Sequence, residues 1–189
     1  MSTNPNVHAA GLMIDGTGLL VRGPSGAGKS LLMLDLLDWA DSKGKDAFLV
    51  ADDRLEIAER DGILFMQAPP TIAGKIELRG RGIVSRPHIA IAAIDLIVDL
   101  VDKMERLVEE DQLVIEFMGV KVARCPVPQR KTVDPIHQRL LVIEALRDLA
   151  RWLYRQLERE YDYLSSDEVV DETIIANGYT FTEAGQRFG

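Results

Sequence analysis

A glycine-rich loop near the start of the chain constrains the fold and chemistry more than any other segment. It matches the pattern G-x-x-x-x-G-K-[ST], and its residues are, in order, Gly23, Pro24, Ser25, Gly26, Ala27, Gly28, Lys29 and Ser30. An apolar segment, 18–21, precedes the loop, and a helix-length apolar segment, 31–40, follows it. In such a loop the backbone N–H groups and the lysine bind phosphate oxygens, and the hydroxyl binds magnesium. The motif therefore predicts a strand–loop–helix unit that binds a nucleoside triphosphate.

Composition narrows the class of protein. The chain has 189 residues, of which 47% are hydrophobic, so one domain, or one domain and a tail, is expected. A formal net charge of −8 disfavours a nucleic-acid partner. The single cysteine, Cys125, excludes an internal disulfide and is typical of a reducing compartment. Because no signal segment or membrane-length apolar run is visible, we expect a cytoplasmic protein with no membrane association.

Local patterns predict an α/β fold with strands on both sides of the loop helix. The expected elements are a hairpin (11–14 and 18–21), a helix (31–42) ended by Gly44, a strand (47–51), a second hairpin (55–58 and 63–67), further strands within 89–101, 113–117 and 120–123, and, after Pro126 and Pro128, a helix at 135–157. We expect a single domain over residues 1–164, followed by an acidic tail or docking segment, 165–189.

Two adjacent carboxylates, Asp52 and Asp53, end the predicted strand 47–51. In a sheet of this kind the carboxyl ends of neighbouring strands meet at one crevice, so these side chains should face the γ-phosphate. One could accept a proton and the other could help to bind a metal ion. A solvent-exposed polar strand end explains them equally well, and Asp95 and Asp99 are rival metal ligands, of which Asp99 is better placed.

Three further features invite either a functional or a structural interpretation. The segment Ile76-Glu77-Leu78-Arg79-Gly80-Arg81-Gly82-Ile83 combines arginines with glycines, as phosphate-binding backbones do, although a flexible surface loop has the same composition. Arg130 follows two prolines and could reach phosphate or lie in solvent. His8 opens the first hairpin, where a lone histidine is more often structural.

Taken together, these motifs resemble the HPr kinase/phosphorylase family. The family joins a loop of this type to a Val-Ala-Asp-Asp strand end, here residues 50–53, and to a signature I-E-[IL]-R-G-x-G-I, here 76–83. A histidine before the loop, here His8, is also similar. The resemblance covers about residues 7–150 and implies a P-loop core related to phosphoenolpyruvate carboxykinase, with a central mixed sheet, flanking helices and a hexameric assembly.

The resemblance also implies an activity. Such an enzyme uses ATP and Mg²⁺ to phosphorylate a serine of the phosphocarrier protein HPr. It removes that phosphate with inorganic phosphate, which yields pyrophosphate. The chain would be the short form found in proteobacteria, which lacks the family's extra N-terminal domain and is associated with the nitrogen-related phosphotransferase system.

Carried over by position, the resemblance assigns roles to individual residues. Asp52 would be the general base of the kinase step and the general acid of the reverse step, with His8 as its neighbour and orienter. The remaining expected roles are magnesium binding by Ser30, Asp53 and Glu77, phosphate contact by Lys29 and Arg79, and a part in the dephosphorylating reaction for Arg130.

Two other classes of function stay open at this point. A small-molecule kinase could use the same loop, although no arginine-rich lid is evident. A non-catalytic nucleotide sensor that binds a protein partner could retain the loop without turnover. The sequence leaves the identity of the phosphocarrier, the balance between the two reactions and the oligomeric state undecided.

Overall fold

The computed structural model describes residues 6–164 and three short strands beyond them, at 174–176, 179–181 and 187–188. The helices are α1, Lys29–Ser42, and α2, Pro135–Leu164; short 3-10 helices occur at Pro70–Ile72 and Glu110–Leu113. The strands before α2 are β1 Asn6–Val7, β2 Ala10–Ile14, β3 Thr17–Arg22, β4 Ala47–Ala51, β5 Leu55–Arg60, β6 Ile63–Gln67, β7 Lys75–Leu78, β8 Gly82–Ser85, β9 Ile91–Ala93, β10 Leu96–Val101, β11 Val114–Phe117 and β12 Val120–Pro128.

A six-stranded mixed sheet carries the glycine-rich loop. Its strand order is β11-β12-β10-β3-β2-β4. Strand β10 is parallel to both β3 and β12, whereas β2 is antiparallel to β3 and to β4. Strands β3 and β4 therefore run in the same direction, and their carboxyl ends reach the same edge of the sheet. This arrangement confirms the α/β fold with a central mixed sheet, and it brings the loop and the end of β4 to one side.

A second, four-stranded antiparallel sheet, in the order β1-β5-β6-β9, packs against the first. Alternating apolar residues of β5 and β6, Leu55 with Ile57 and Leu64 with Met66, are buried in the cluster that also contains Leu20 and Ile97 of the larger sheet. The alternation follows from the two-residue period of a strand, which places every second side chain on the same face. The hairpin predicted around 61–62 is confirmed as β5 and β6.

Helix α1 begins directly at the loop lysine and ends close to the predicted position. Its buried face is apolar and includes Leu32, Met33, Leu36 and Leu37. The amides of residues 43–45 bond to carbonyls of the last turn, which ends the helix. Helix α2 runs to Leu164, seven residues beyond the predicted end at 157. Within the described residues, neither helix combines the length and apolar composition needed to cross a bilayer.

Strand β12 corrects one expectation. Pro126 and Pro128 do not interrupt the chain before α2, because both lie inside β12, paired with Asp99 and Val101 of β10. Strand β11 pairs with β12 only as far as Ala123. Beyond that residue one side of β12 has no ladder partner among the strands that the structure describes, and a proline without an N–H is tolerated on such an open edge. The strand therefore continues through both prolines toward Gln129.

The arginine- and glycine-rich segment is an ordered hairpin. Strands β7 and β8 pair antiparallel, with Glu77 opposite Ile83 and Leu78 opposite Gly82. The amide of Arg81 bonds to the carbonyl of Leu78 and closes the turn. Residues 75–85 therefore form two paired strands and their turn, and the two arginines of the turn, Arg79 and Arg81, are exposed.

The chain divides into two compact units, Met1–Ala145 and Leu146–Gly189. The expected division at 164/165 lies inside the second unit. That unit contains a three-stranded antiparallel sheet of β13 Ile174–Ala176, β14 Tyr179–Phe181 and β15 Arg187–Phe188. The remainder of the segment 165–189, which we expected to be a tail, lies outside the described residues.

The contact between β3 and β9 generates a prediction at Gly18. A Cβ built on Gly18 would lie 1.7 Å from the carbonyl oxygen of Ala93, which is backbone and cannot rotate away. Gly18→Ala should therefore lower the free energy of unfolding by about 3 kcal/mol, the upper range for overpacking. Urea titration monitored by circular dichroism measures this loss.

Gly62→Ala provides the control for that experiment. A Cβ at Gly62 meets no atom within 4 Å, although the φ of +78° disfavours alanine. We expect a cost of about 1 kcal/mol there. Equal losses for the two variants would contradict the packing argument.

Candidate functional site

The glycine-rich loop adopts the shape that phosphate binding requires. Gly28 precedes α1 with a φ of 107° and a left-handed conformation, and no side chain caps the helix. The first N–H groups of α1 therefore point out of the helix end without intrahelical acceptors, where its dipole also favours an anion. Within the loop, the amide of Ala27 bonds to the carbonyl of Pro24 and holds the turn.

Lys29 lies beneath this loop, with only 8% of the residue exposed. Its amine donates to the carbonyls of Gly23 and Pro24, at 2.9 and 3.3 Å. Burial lowers the pKa of Lys29, while the charges of Asp53 and Asp52 oppose that shift. The amine is thus oriented by the same loop whose amides face outward, and two carboxylates support its positive charge.

His8 lies between a cation and a carboxylate. Its Nε2 is 3.2 Å from the Lys29 amine, and its Nδ1 is 2.9 Å from Asp53. Asp53 has a positive φ of 75°, unusual for a residue other than glycine, which turns it away from the strand direction. Among the described residues the ring bonds to Asp53 and Lys29, and not to Asp52, for which an orienting role was expected.

Asp52 bonds to the first turn of α1. The Ser30 hydroxyl lies 2.9 and 3.0 Å from the two carboxylate oxygens, and the backbone amide of Glu77 donates to one of them at 3.2 Å. Burial is the largest influence and raises the pKa of Asp52, while the Ser30 and Glu77 hydrogen bonds oppose it. A half-buried carboxylate with increased proton affinity is suited to accept a proton and later return it.

The hairpin β7–β8 reaches the site through its backbone. Glu77 contacts Asp52 through its backbone amide, and its side chain is exposed. Arg79 is exposed in the turn that follows, and among the described residues no hydrogen bond joins it to the glycine-rich loop. The structure thus brings Glu77 to Asp52 but leaves Arg79 at the surface.

Arg130 lies against the glycine-rich loop. Its amide donates to the carbonyl of Ala27 at 3.3 Å, and a Cβ built on Gly28 would lie 3.2 Å from the Cβ of Arg130. Gln129 is buried and holds this segment in place, because its backbone amide donates to the carbonyl of Val101 at 2.8 Å. The guanidinium is exposed, so it extends into solvent from a backbone fixed beside the loop.

The two rival metal ligands are engaged by other groups. Asp95 precedes β10 and accepts a hydrogen bond from the amide of Gly18 at 2.7 Å, at the opposite end of the strand from the loop. Asp99 accepts hydrogen bonds from Arg22 and from Arg124. A carboxylate that neutralises two guanidinium groups is a poor candidate for metal binding. Asp53 instead follows Asp52, the residue whose carboxylate contacts Ser30.

The donor set fits a magnesium–nucleotide complex. In the part of the chain that the structure describes, no three His, Cys, Asp or Glu side chains converge as metal ligands. Magnesium bound to ATP needs few protein ligands, since phosphate oxygens and water supply most of its coordination. The Ser30 hydroxyl, which bonds to Asp52, and the carboxylate of the next residue, Asp53, are oxygen donors of the kind that this mode of binding would use.

Sequence reasoning missed the ionic contacts around Asp99. The available signal was a charged residue inside the apolar strand Leu96–Val101, because a charge in such a position requires a partner. Arg22, directly before the loop, was the other signal. Neither residue indicates by itself which partner it contacts, since that depends on the strand order.

Comparison with known proteins places the chain in a family. The protein-family model for the HPr Serine kinase C-terminal domain matches residues 1–148. The chain belongs to this family. Among curated relatives, a Clostridium tetani protein named HPr kinase/phosphorylase is 31% identical over 141 residues, which is 70% of this chain and 43% of the relative. A Mycoplasma mycoides protein of the same name is 29% identical over 134 residues, which is 64% of this chain and 41% of the relative.

A solved structure supports the fold assignment. The HPr(Ser) kinase/phosphatase from Coxiella burnetii superposes with a TM-score of 0.61 at 23% identity, covering 82% of this chain and 99% of the other. Since the chain spans less than half the length of the curated relatives described, their activity does not transfer to it without an experiment. The family match covers the residues that carry the motifs, and the superposition supports the fold.

The raised pKa of Asp52 generates a prediction about stability. A carboxyl group with a raised folded-state pKa binds protons more tightly in the folded than in the unfolded chain, so its contribution favours folding at low pH and diminishes as the pH rises. Asp52→Asn should therefore increase the free energy of unfolding at pH 7. The gain should shrink as the pH falls toward the ordinary aspartate value of about 3.9.

Urea titrations of the wild-type protein and of Asp52→Asn, paired at several pH values between about 4 and 8, give the difference in the free energy of unfolding. The difference cancels carboxyl groups that both proteins share. A gain that stays constant with pH would contradict the assignment of a raised pKa to Asp52.

Proposed function

We propose that this chain transfers the γ-phosphoryl group of ATP to a serine of an HPr-type phosphocarrier protein, and that it removes this phosphate with inorganic phosphate, yielding pyrophosphate. The observation that carries the proposal is the half-buried Asp52 carboxylate beside Ser30, at the edge of the sheet where the glycine-rich loop begins. The relatives named HPr kinase/phosphorylase and the family match support it. The single cysteine is consistent with a cytoplasmic site of action.

The chain's own residues account for the forward reaction. The amides of the loop and the Lys29 amine hold the ATP phosphates, and Arg130 extends from a fixed backbone beside them. Asp52 accepts the serine proton as the serine oxygen bonds to the γ-phosphorus and ADP leaves. Ser30, Asp53 and Glu77 would hold a magnesium ion, which would neutralise part of the charge of the phosphates. His8 joins Lys29 to Asp53 and so keeps the two charges in a fixed relation.

The reverse reaction uses the same groups in the opposite protonation state. Inorganic phosphate occupies the loop and attacks the phosphoserine phosphorus, so that a P–O bond to the serine breaks and pyrophosphate forms. The protonated Asp52 returns its proton to the departing serine oxygen. A raised pKa suits this double role, because it increases the share of the carboxyl group that carries the proton needed by the departing serine oxygen.

Large apolar side chains are exposed on the β7–β8 hairpin and in the segment after β10. Ile83, opposite Glu77 in the β7–β8 hairpin, is 67% exposed. Met104 and Leu107, in the segment that follows the carboxyl end of β10, are 53% and 80% exposed. A protein acceptor would cover such side chains, whereas a metabolite would leave them exposed, and this supports the choice of a protein acceptor. The family resemblance further favours a homo-oligomer, expected to be a hexamer.

Label transfer tests the proposal. The chain is incubated with γ-labelled ATP, Mg²⁺ and an HPr-type carrier, and the labelled residue is mapped; the washed product is then treated with excess phosphate and assayed for pyrophosphate. We expect label on a carrier serine and its release as pyrophosphate. Label on a small molecule, or ATP binding with no acceptor, would contradict the proposal.

Asp52→Asn separates binding from chemistry. Because a positioned general base contributes about 10²- to 10⁴-fold, the variant should lose at least about 100-fold in both directions of transfer. Its affinity for Mg–ATP should change by less than about threefold, as measured by calorimetry, since the loop and Lys29 are retained. The control is Asp41→Asn, which changes an exposed residue of helix α1 and should retain full turnover. Turnover of Asp52→Asn near the wild-type rate would exclude Asp52 as the base.

Arg130 should matter more in the reverse reaction, in which two separate phosphate groups meet. Arg130→Gln is expected to reduce pyrophosphate formation about 10-fold or more, with a smaller effect on ATP-dependent transfer. The neighbouring Lys131, which is 71% exposed and pairs with Asp102 at 3.3 Å, gives the matched control Lys131→Gln. Equal effects of Arg130→Gln on both directions would rule out this specialised role.

A further inference from the structure

An ionic cluster lies where the chain enters the glycine-rich loop. We call Arg22, Asp99 and Arg124 the Asp99 cluster. Arg22 binds Asp99 through two hydrogen bonds of 2.8 Å, and Arg124 binds the same carboxylate at 2.7 Å. The side chains are 22% exposed for each arginine and 15% exposed for Asp99. Three neighbouring strands, β3, β10 and β12, are thereby joined on one face of the sheet.

Further contacts fix the two arginines. The guanidinium of Arg22 lies 5.0 Å from the centre of the Phe117 ring, a cation–π contact. Arg124 also donates to the carbonyl of Gln112 at 3.2 Å. Burial would raise the pKa of Asp99, but the hydrogen bonds and charges of Arg22 and Arg124 lower it overall. Asp99 therefore stays ionised through the neutral range, and the contacts persist there.

Arg22 is the last residue of β3, so its position determines that of the loop's first residue. In the parallel ladder it pairs with Asp99, and the following residue, Gly23, packs closely on β10: a Cβ there would lie 2.8 Å from that of Leu100. The carbonyl of Gly23 in turn accepts a hydrogen bond from the Lys29 amine at 2.9 Å. A continuous path of bonded groups thus runs from Asp99 through Arg22 and Gly23 to Lys29.

We propose that Asp99 is a positioning residue for the nucleotide phosphates: it fixes Arg22, and through the Gly23 carbonyl it sets the place of the Lys29 amine. This inference rests on the part of the proposed function in which the loop binds ATP. It assigns no contact between Asp99 and substrate. The expected consequence is that Asp99 affects the binding of Mg–ATP more than the chemistry at Asp52.

The test uses Asp99→Asn in the full chain. We expect the dissociation constant for Mg–ATP, measured by calorimetry, to rise about 10-fold, and the KM for ATP to rise similarly, while kcat at saturating ATP stays within about threefold of wild type. Asp38→Asn is the control: it removes the partner of Arg86, an exposed ion pair on the far part of α1, and should leave the affinity unchanged.

A double variant separates positioning from folding stability. Asp99→Asn leaves two guanidinium groups without their counter-charge, which should lower Tm. Adding Arg124→Gln removes one of the two like charges, so Tm should recover in part. Arg22 still lacks its carboxylate in the double variant, so the Mg–ATP affinity should stay low. Affinity that recovers together with Tm would overturn the positioning role.

The remaining outcomes are also decisive. Wild-type affinity in Asp99→Asn would overturn the inference, whatever the label-transfer assay gives. A wild-type chain that binds Mg–ATP but labels no carrier would refute the proposed function and leave the positioning inference intact if Asp99→Asn binds about 10-fold more weakly. No binding of Mg–ATP by the wild-type chain would refute both.

Discussion

The hydrogen bonds between the Ser30 hydroxyl and the Asp52 carboxylate, at 2.9 and 3.0 Å, join the start of the loop helix to the end of a different strand. They exist because β3 and β4 run in the same direction, although β2 separates them in the sheet. The backbone of Glu77 completes the contact from a third element. Burial of one carboxylate at this junction gives the site a group whose proton affinity is increased, next to a loop built for phosphate.

Two separate sets of charged side chains lie around that loop. Lys29, His8 and Asp53 form a contiguous series on the side of the site, whereas the Asp99 cluster lies at the strand end from which the loop departs. The first series includes the Lys29 amine, which in the proposed function binds the nucleotide phosphates. In the Asp99 cluster the charged side chains form hydrogen bonds with one another, and these bonds constrain the backbone before the loop. Asp99 follows the sequence pattern of a metal-binding acid, but its carboxylate accepts hydrogen bonds from Arg22 and Arg124.

The sequence predicted the parts of the fold whose signals are local. The loop motif, the hairpin turns at 15–17 and 61–62 and the end of α1 near Gly44 depend on backbone preferences of a few residues, and the structure contains each of them. Long-range pairing was harder to foresee. The continuation of β12 through Pro126 depends on where β11 ends, and the partners of Asp99 depend on the strand order. His8 was expected to orient Asp52, but its ring contacts the carboxylate of the next residue, Asp53, which has a positive φ.

The central claim is that one carboxyl group serves both directions of transfer in opposite protonation states, and the pH dependence of the two rates tests it most directly. With ATP or phosphate saturating, the rate of forward transfer should increase as the pH rises, and the rate of pyrophosphate formation should decrease. Both changes should follow one common apparent pKa, which lies above the ordinary aspartate value. Both dependences should disappear in the residual activity of Asp52→Asn. Rates that rise together with pH, or two unrelated pKa values that survive in Asp52→Asn, would contradict the account.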